Sequence, residues 1–172
     1  MLIAKAPEEL SDEQLAAFVD LVVSEGEVTP NGLAGRARRA LGLAMLYDEG
    51  VLVGTAAVKN PDVGYRAGVF AKSHSTAIAT NYPIELGYVV VAATHRGKKL
   101  GWKLVDAALQ FANGLAVFAT TRSNNGAMQR ILTARGFATN GSSYPSAEHP
   151  NQKIHLFLRE KVSDLNGQRD GA

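Results

Sequence analysis

The run LGYVVVAA, Leu86 to Ala93, constrains the fold more than any other segment of the chain. Its three consecutive valines suit a β-strand, because branched side chains lose little freedom on an extended backbone. A half-solvated strand would alternate apolar with polar residues; this one does not, so both of its faces must be covered. The fold therefore needs helices against each side of a sheet, with this strand near the middle.

The rest of the chain supplies those layers. MLIAKAP reads as a short first strand ended by Pro7. Ser11 and Gln14 have capping-box spacing, and Leu15, Phe18, Val19 and Val22 recur at helical intervals up to Gly26. A second helix is expected from Leu33 to Leu41, with three arginines on one side and Gly42 as its stop. LAMLY and VLVGTAAV, joined by Asp48-Glu49-Gly50, predict an antiparallel hairpin. Residues 60–83 are less regular, with room for a short helix in GYRAGVFAKS. After the valine-rich strand the pattern predicts a helix burying Leu100, Leu104, Val105, Ala108 and Leu109, then the strand GLAVFAT. A helix begun by Asn124 or Asn125 and stopped by Gly136 comes next, and GFATNGSSY and KIHLFLR close the chain as strands.

The expected fold class is α/β (α+β): a mixed, mostly antiparallel sheet of about seven strands with helices on both faces. At 172 residues, 46% of them hydrophobic, the length favours one domain, over 1–160, with 161–172 as a flexible tail.

Composition removes several classes of chemistry. With no cysteine there is no disulfide, no thiolate metal site and no protein thiol to carry an acyl group. His74, His95, His149 and His155 form no close pair at metal-ligand spacing, so no metal is expected. The N-terminus lacks a signal-peptide pattern and no apolar run approaches bilayer-spanning length, so the default expectation is cytoplasmic, with no membrane partner. A net charge of +2 argues against nucleic acid as a partner, but charge is segregated along the chain. Acidic residues, Glu25 and Glu27 among them, crowd the beginning; cations cluster near Arg36 to Arg39 and at 96–103.

That second cluster lies in THRGKKLGWKL, where the valine-rich strand runs into a helix through Gly97 and Gly101. Free N–H groups and the helix dipole at such a junction suit a phosphate, and Arg96, Lys98 and Lys99 add charge-assisted contacts. A basic turn is also common as a solvated surface loop. GxxxxGK[ST] and GxGxxG are both absent, so neither a nucleoside triphosphatase nor a dinucleotide fold has its signature here.

ELGYVVVAATHRGKKLGWKL resembles the central motif of the GNAT (Gcn-related N-acetyltransferase) superfamily, an apolar strand leading into a [QR]xxGx[GA] loop. Here that loop reads Arg96-Gly97-Lys98-Lys99-Leu100-Gly101, with Lys99 in place of the middle glycine. SNNGAMQRILTARGF resembles the family's later Asn-led helix ending in Gly-Phe, and the element order is similar over nearly the whole chain.

The resemblance implies an acetyl-CoA-dependent N-acetyltransferase, with acetyl-CoA as co-substrate and direct transfer to a primary amine in a ternary complex. It implies that the backbone of Val89, Val90 and Val91 pairs with the pantetheine arm. Amide groups from Gly97 to Trp102, including Gly101, would hold the pyrophosphate, assisted by Arg96, Lys98 or Lys99. The Trp102 side chain is read as packing, and Asn125 as both a helix cap and a cofactor contact. An attacking amine must lose a proton, and Glu85 stands where the family often places a carboxylate that works through water. The tyrosine that many relatives use to protonate the thiolate is Leu132 here. Tyr144 and Tyr88 are substitutes by residue type.

The acceptor is expected to be a small-molecule or peptide amine, with a homodimer left open. Glu25 and Glu27 point to a cationic amine, Arg66 to a carboxylate on the substrate, and residues 60–83 to a lid or specificity element. Two other readings are an acyl-CoA sensor without turnover and, more weakly, an RNA- or nucleotide-binding protein using the 96–103 cations.

Overall fold

The computed structural model describes residues 1–25, 28–147 and 149–162. The helix stop expected at Gly26, the loop carboxylate Glu27 and the tail from 163 onward lie outside the described residues.

Strand β1 (Leu2–Lys5) is followed by helix α1 (Asp12–Ser24), started by the expected capping box. The Ser11 side chain accepts from the Gln14 amide at 3.2 Å, and the Gln14 side chain accepts from the Ser11 amide at 3.0 Å. Leu15, Phe18 and Val22 are its buried face. Helix α2 (Leu33–Arg38) is shorter than expected, because Arg39 and Ala40 leave the helix and the Leu41 amide already donates to Val58 in the sheet. Strands β2 (Gly42–Asp48) and β3 (Val51–Lys59) form the expected hairpin. Its two-residue turn has positive φ at both Glu49 and Gly50, the primed geometry that matches strand twist.

The irregular segment contains a full helix, α3 (Val63–Lys72), whose Phe70 packs with Tyr82 and Phe118. Strand β4 (Ile84–Val91) is the valine-rich run, with helix α4 (Leu100–Leu109) after it. Then come β5 (Val117–Arg122) and α5 (Gly126–Ala134), which the Asn125 side chain caps by accepting from the Met128 amide at 3.1 Å. The segment GFATNGSSY does not form one strand. It splits into β6 (Ala138–Thr139) and β7 (Tyr144–Pro145) on either side of Gly141, whose backbone lies against the Ser73 carbonyl at positive φ. Strand β8 (Lys153–Arg159) closes the sheet.

The strand order is β1-β2-β3-β4-β5-β8-β6, with β7 also on β8. All pairings are antiparallel except β4 with β5. Helices α4 and α5 cover one face, over Leu86, Val117, Ala119 and Phe157. On the other face α1 and α2 bury Leu43, Met45, Ala57 and Val90, while α3 covers Phe118, Leu156 and Leu158. The valine-rich strand is thus covered on both sides, and among the described residues eight strands stand where about seven were expected.

Strand β4 is irregular along both of its edges. Its parallel ladder with β5 has only three rungs, Ile84–Val117, Glu85–Phe118 and Leu86–Ala119. Beyond them the strands part, and the β4 main chain facing the gap has no strand partner. On its other edge, pairing with β3 shifts register between Gly87 and Val90, a bulge with Tyr88 at φ +52°. The Thr55 hydroxyl holds the bulge by donating to the Tyr88 carbonyl at 2.8 Å.

Candidate active site

The parted strands open a cleft of about 610 Å³, a volume suited to a small ligand. Its floor carries Glu85, Tyr88, Val89 and Val90 from β4 and Thr120 to Arg122 from β5. Arg36 and Arg39 of the α2 region, the Lys59–Tyr65 stretch, the cap of α5, and Ser146 and His149 line its walls.

Glu85 is only 2% exposed. It sits opposite Lys59 in the antiparallel register, and the Lys59 ammonium lies 2.8 Å from its Oε2. That contact is an ion pair off the hydrogen-bonding direction, since Oε2 has no hydrogen-bond partner among the described residues. Oε1 accepts from the Tyr65 hydroxyl at 3.1 Å. The Lys59 ammonium also lies 4.6 Å from the Tyr88 ring centre and 5.8 Å from that of Tyr65, within cation–π range. Gly87 makes this possible, because a Cβ there would stand 2.7 Å from Lys59 Cε.

Burial pushes the Tyr65 phenol well above the ordinary tyrosine range, and the charge on Glu85 pushes it further. Tyr144, half-buried in β7, is raised to about 12, first by burial and then by Glu85. Both phenols therefore keep their protons at neutral pH, as donors and not bases. The Tyr88 hydroxyl serves a different corner, where it accepts from the Arg36 Nε at 3.4 Å.

The basic loop lies at the far end of β4. Among the described residues the Gly97, Lys98 and Lys99 amides donate to no backbone carbonyl, and α4 begins at Leu100, where first-turn N–H groups have no partner within the helix. Lys99 takes φ +58°, a left-handed conformation that favours glycine, at the position where the family motif has one. Lys98 and Lys99 are exposed, with no ion-pair or hydrogen-bond partner among the described residues. Arg96 is committed within the protein: its Nε donates to the Val91 carbonyl at 3.0 Å and its Nη2 to the Glu25 carboxylate.

Gly101 serves the helix pair. A Cβ there would stand 3.1 Å from Ile131 Cδ1, so its missing side chain lets α4 sit close to α5. Trp102 packs as expected, with the Arg135 guanidinium 5.0 Å from its ring centre. Asn125 is a helix cap at the cleft wall, and Val89 and Val90 border the cleft beside the unpaired main chain.

Other expectations are corrected. Glu25 offers no free charge to an acceptor, because Arg96 holds it. Arg66 donates to the Pro83 carbonyl at 3.2 Å and does not line the cleft. Of residues 60–83, only Asn60, Pro61, Asp62 and Tyr65 reach the cleft; Phe70 and Tyr82 are core. Lys59 was missed, although a lysine ending the apolar strand VLVGTAAV, in register with the carboxylate before LGYVVV, carried the signal.

The profile of the acetyltransferase (GNAT) family matches residues 8–137. Among solved structures, Escherichia coli ElaA is similar at 18% identity and TM-score 0.69, over 93% of this chain and 99% of that one. YncA of Salmonella typhimurium, described as a putative acetyltransferase with its cofactor acetyl-CoA, is similar at 17% identity and TM-score 0.66, covering 100% and 99%. The Escherichia coli ribosomal-protein-S18-alanine N-acetyltransferase has 13% identity and TM-score 0.65, covering 98% and 100%. Comparison with curated proteins returns no match.

Proposed function

The chain belongs to the GNAT family of acetyltransferases, and from that premise we propose that it is an acetyl-CoA-dependent N-acetyltransferase acting on a primary amine in a ternary complex. The observation that carries this reading is the parting of β4 from β5 beside a buried carboxylate.

The gap fits the donor. The edge of β4 that faces the gap at Val89 to Val91 has no strand partner, only the Arg96 side chain on the Val91 carbonyl, and suits an amide-bearing arm that adds to the sheet edge as a strand would. The free amides from Gly97 to Trp102, with Lys98 and Lys99 beside them, suit a diphosphate. Acetyl-CoA supplies the acyl group and a thiolate that leaves.

Glu85 is the group placed to take the proton from the acceptor amine, directly or through one water. Lys59 and Tyr65 hold its carboxylate in one orientation, so geometry is set before the acceptor arrives. Tyr144 and Tyr65, protonated at neutral pH, are the phenols near enough to Glu85 to feel its charge, and either can donate a hydrogen bond toward the thiolate, while the proton that Glu85 took from the amine goes on to the thiolate directly or through water. The chain's lack of cysteine removes a thiol acyl carrier, which favours direct transfer.

The test is thiol release from acetyl-CoA with a panel of amines and peptides, with products read by mass spectrometry. Acceptor-dependent thiol with a product heavier by one acetyl group is expected. Leu132, fully buried where relatives carry the donor tyrosine, favours the second reading, an acyl-CoA sensor. Thermal stabilisation by acetyl-CoA without acceptor-dependent thiol would decide for the sensor.

A further inference from the structure

We infer that the acceptor is an amine that also carries a carboxylate, an α-amino acid being the smallest such molecule, and that Arg39 binds that carboxylate beside Arg36. This rests on the acetyltransferase reading of the cleft.

The charges lining the cleft do not balance in favour of a cationic acceptor. Apart from the Lys59–Glu85 pair, and Arg122, which donates to the Gln152 side chain at 2.9 Å, the described walls carry Arg36 and Arg39 against Asp62, with His149 at the rim. Glu85 is already paired with Lys59, so a second ammonium would have to compete with an ion pair that Gly87 and the Tyr88 ring hold in place. Asp62 is exposed and stands before the first turn of α3, away from the floor.

The two arginines of the α2 region are the reverse case. Arg36 is partly buried, yet its contacts are all to neutral oxygens: the Asn31 carbonyl at 2.8 Å, the Thr29 carbonyl at 3.0 Å and the Tyr88 hydroxyl. Those contacts fix the guanidinium without cancelling its charge. Arg39 comes three residues later on the cleft side and is exposed, with no hydrogen-bond or ion-pair partner among the described residues. One helical turn apart, they place one fixed and one free cation in the same wall. Arg38, between them, points elsewhere and pairs with Asp12 at 3.0 Å. A free guanidinium fork beside a second positive charge is matched to a planar carboxylate.

With its carboxylate at Arg39 in the wall, the acceptor would carry its amine, uncharged at the moment of attack, into the same cleft as Glu85. A polyamine has no group for the arginines and meets their repulsion.

The test pairs each protein α-amino acid with its own α-amide, which keeps size and amine while removing the negative charge. Binding to the coenzyme A-loaded protein is read by calorimetry, independently of turnover. At least one amino acid should bind about tenfold or more tightly than its amide, and Arg39→Gln should erase that difference while Arg38→Gln preserves it. In the thiol assay Arg39→Gln should raise KM with little change in kcat, and leave coenzyme A affinity intact. No preference for acid over amide in any pair, or a preference that survives Arg39→Gln, overturns the inference. A preference in binding with no thiol release from any pair would instead sink the acetyltransferase reading and leave the carboxylate site standing.

Discussion

Lys59 and Glu85 face each other across the β3–β4 ladder with Nζ and Oε2 2.8 Å apart, and both side chains are withdrawn from solvent. Gly87, two residues along β4, leaves room for the lysine stem in this position, since a Cβ there would stand 2.7 Å from Lys59 Cε. A missing side chain thus goes with a cation seated on the carboxylate proposed as the base.

Removing the partner should expose what the pair contributes. Lys59→Met keeps the stem but leaves Glu85 buried and uncompensated, which should cost about 3 kcal/mol of stability. Urea denaturation at neutral pH measures it. The double variant Lys59→Met/Glu85→Gln should recover much of the loss; if it recovers none, the ion pair is not what the lysine supports.

Glu85→Gln tests the chemistry separately. The amide keeps the shape and can still accept from Tyr65, but it cannot take a proton from the acceptor. Turnover should fall about a hundredfold at neutral pH, with coenzyme A affinity nearly unchanged, and the loss should shrink at high pH where the amine is already neutral. A pH–rate profile identical to the parent's would remove Glu85 from the base role.

Strand and helix identities were legible because period and caps are local: the Ser11–Gln14 box, the Asn125 cap and the unbroken valines each announce themselves in a few residues. What was not legible depends on partners distant in sequence. A Cβ at Gly101 would crowd Ile131 at 3.1 Å, and Glu25 is silent because Arg96, 71 residues later, holds it. A charge count along the chain therefore pointed to a cationic acceptor, whereas pairing in three dimensions leaves Arg36 and Arg39 without an acidic partner among the described residues of the cleft wall. Residues 60–83 misled for a related reason: Phe70 and Tyr82 carry no local pattern, and it is the packing of Phe70 between Tyr82 and the distant Phe118 that makes them core.

Lys99 holds φ +58° where a side chain is strained. Lys99→Gly relieves about 1 kcal/mol of that strain but frees the unfolded chain, so a net gain of about 0.5 kcal/mol is expected. Thermal unfolding in the absence of ligand reads it. Loss of stability would mean that the lysine side chain makes a contact worth more than its strained backbone costs.

Tyr144 supplies a pH test with a definite sign. Its phenol has a pKa of about 12 in the folded chain, against about 10 for a tyrosine in an unfolded one. Between those values the folded state holds a proton that the unfolded state has lost. Stability therefore falls as pH rises from about 10 toward about 12, and the contribution is complete below about pH 10. Tyr65 and Tyr82 are raised as well and add to the fall, so Tyr144→Phe should flatten the slope without abolishing it. Burial is the larger cause and the Glu85 charge the smaller. In a tyrosinate absorbance titration, read as the parent minus Tyr144→Phe, Glu85→Gln should accordingly lower the Tyr144 midpoint only part of the way toward the ordinary value of about 10. A full return to that value would make the carboxylate the dominant cause, and would place the two groups in closer electrical contact than burial-led titration allows.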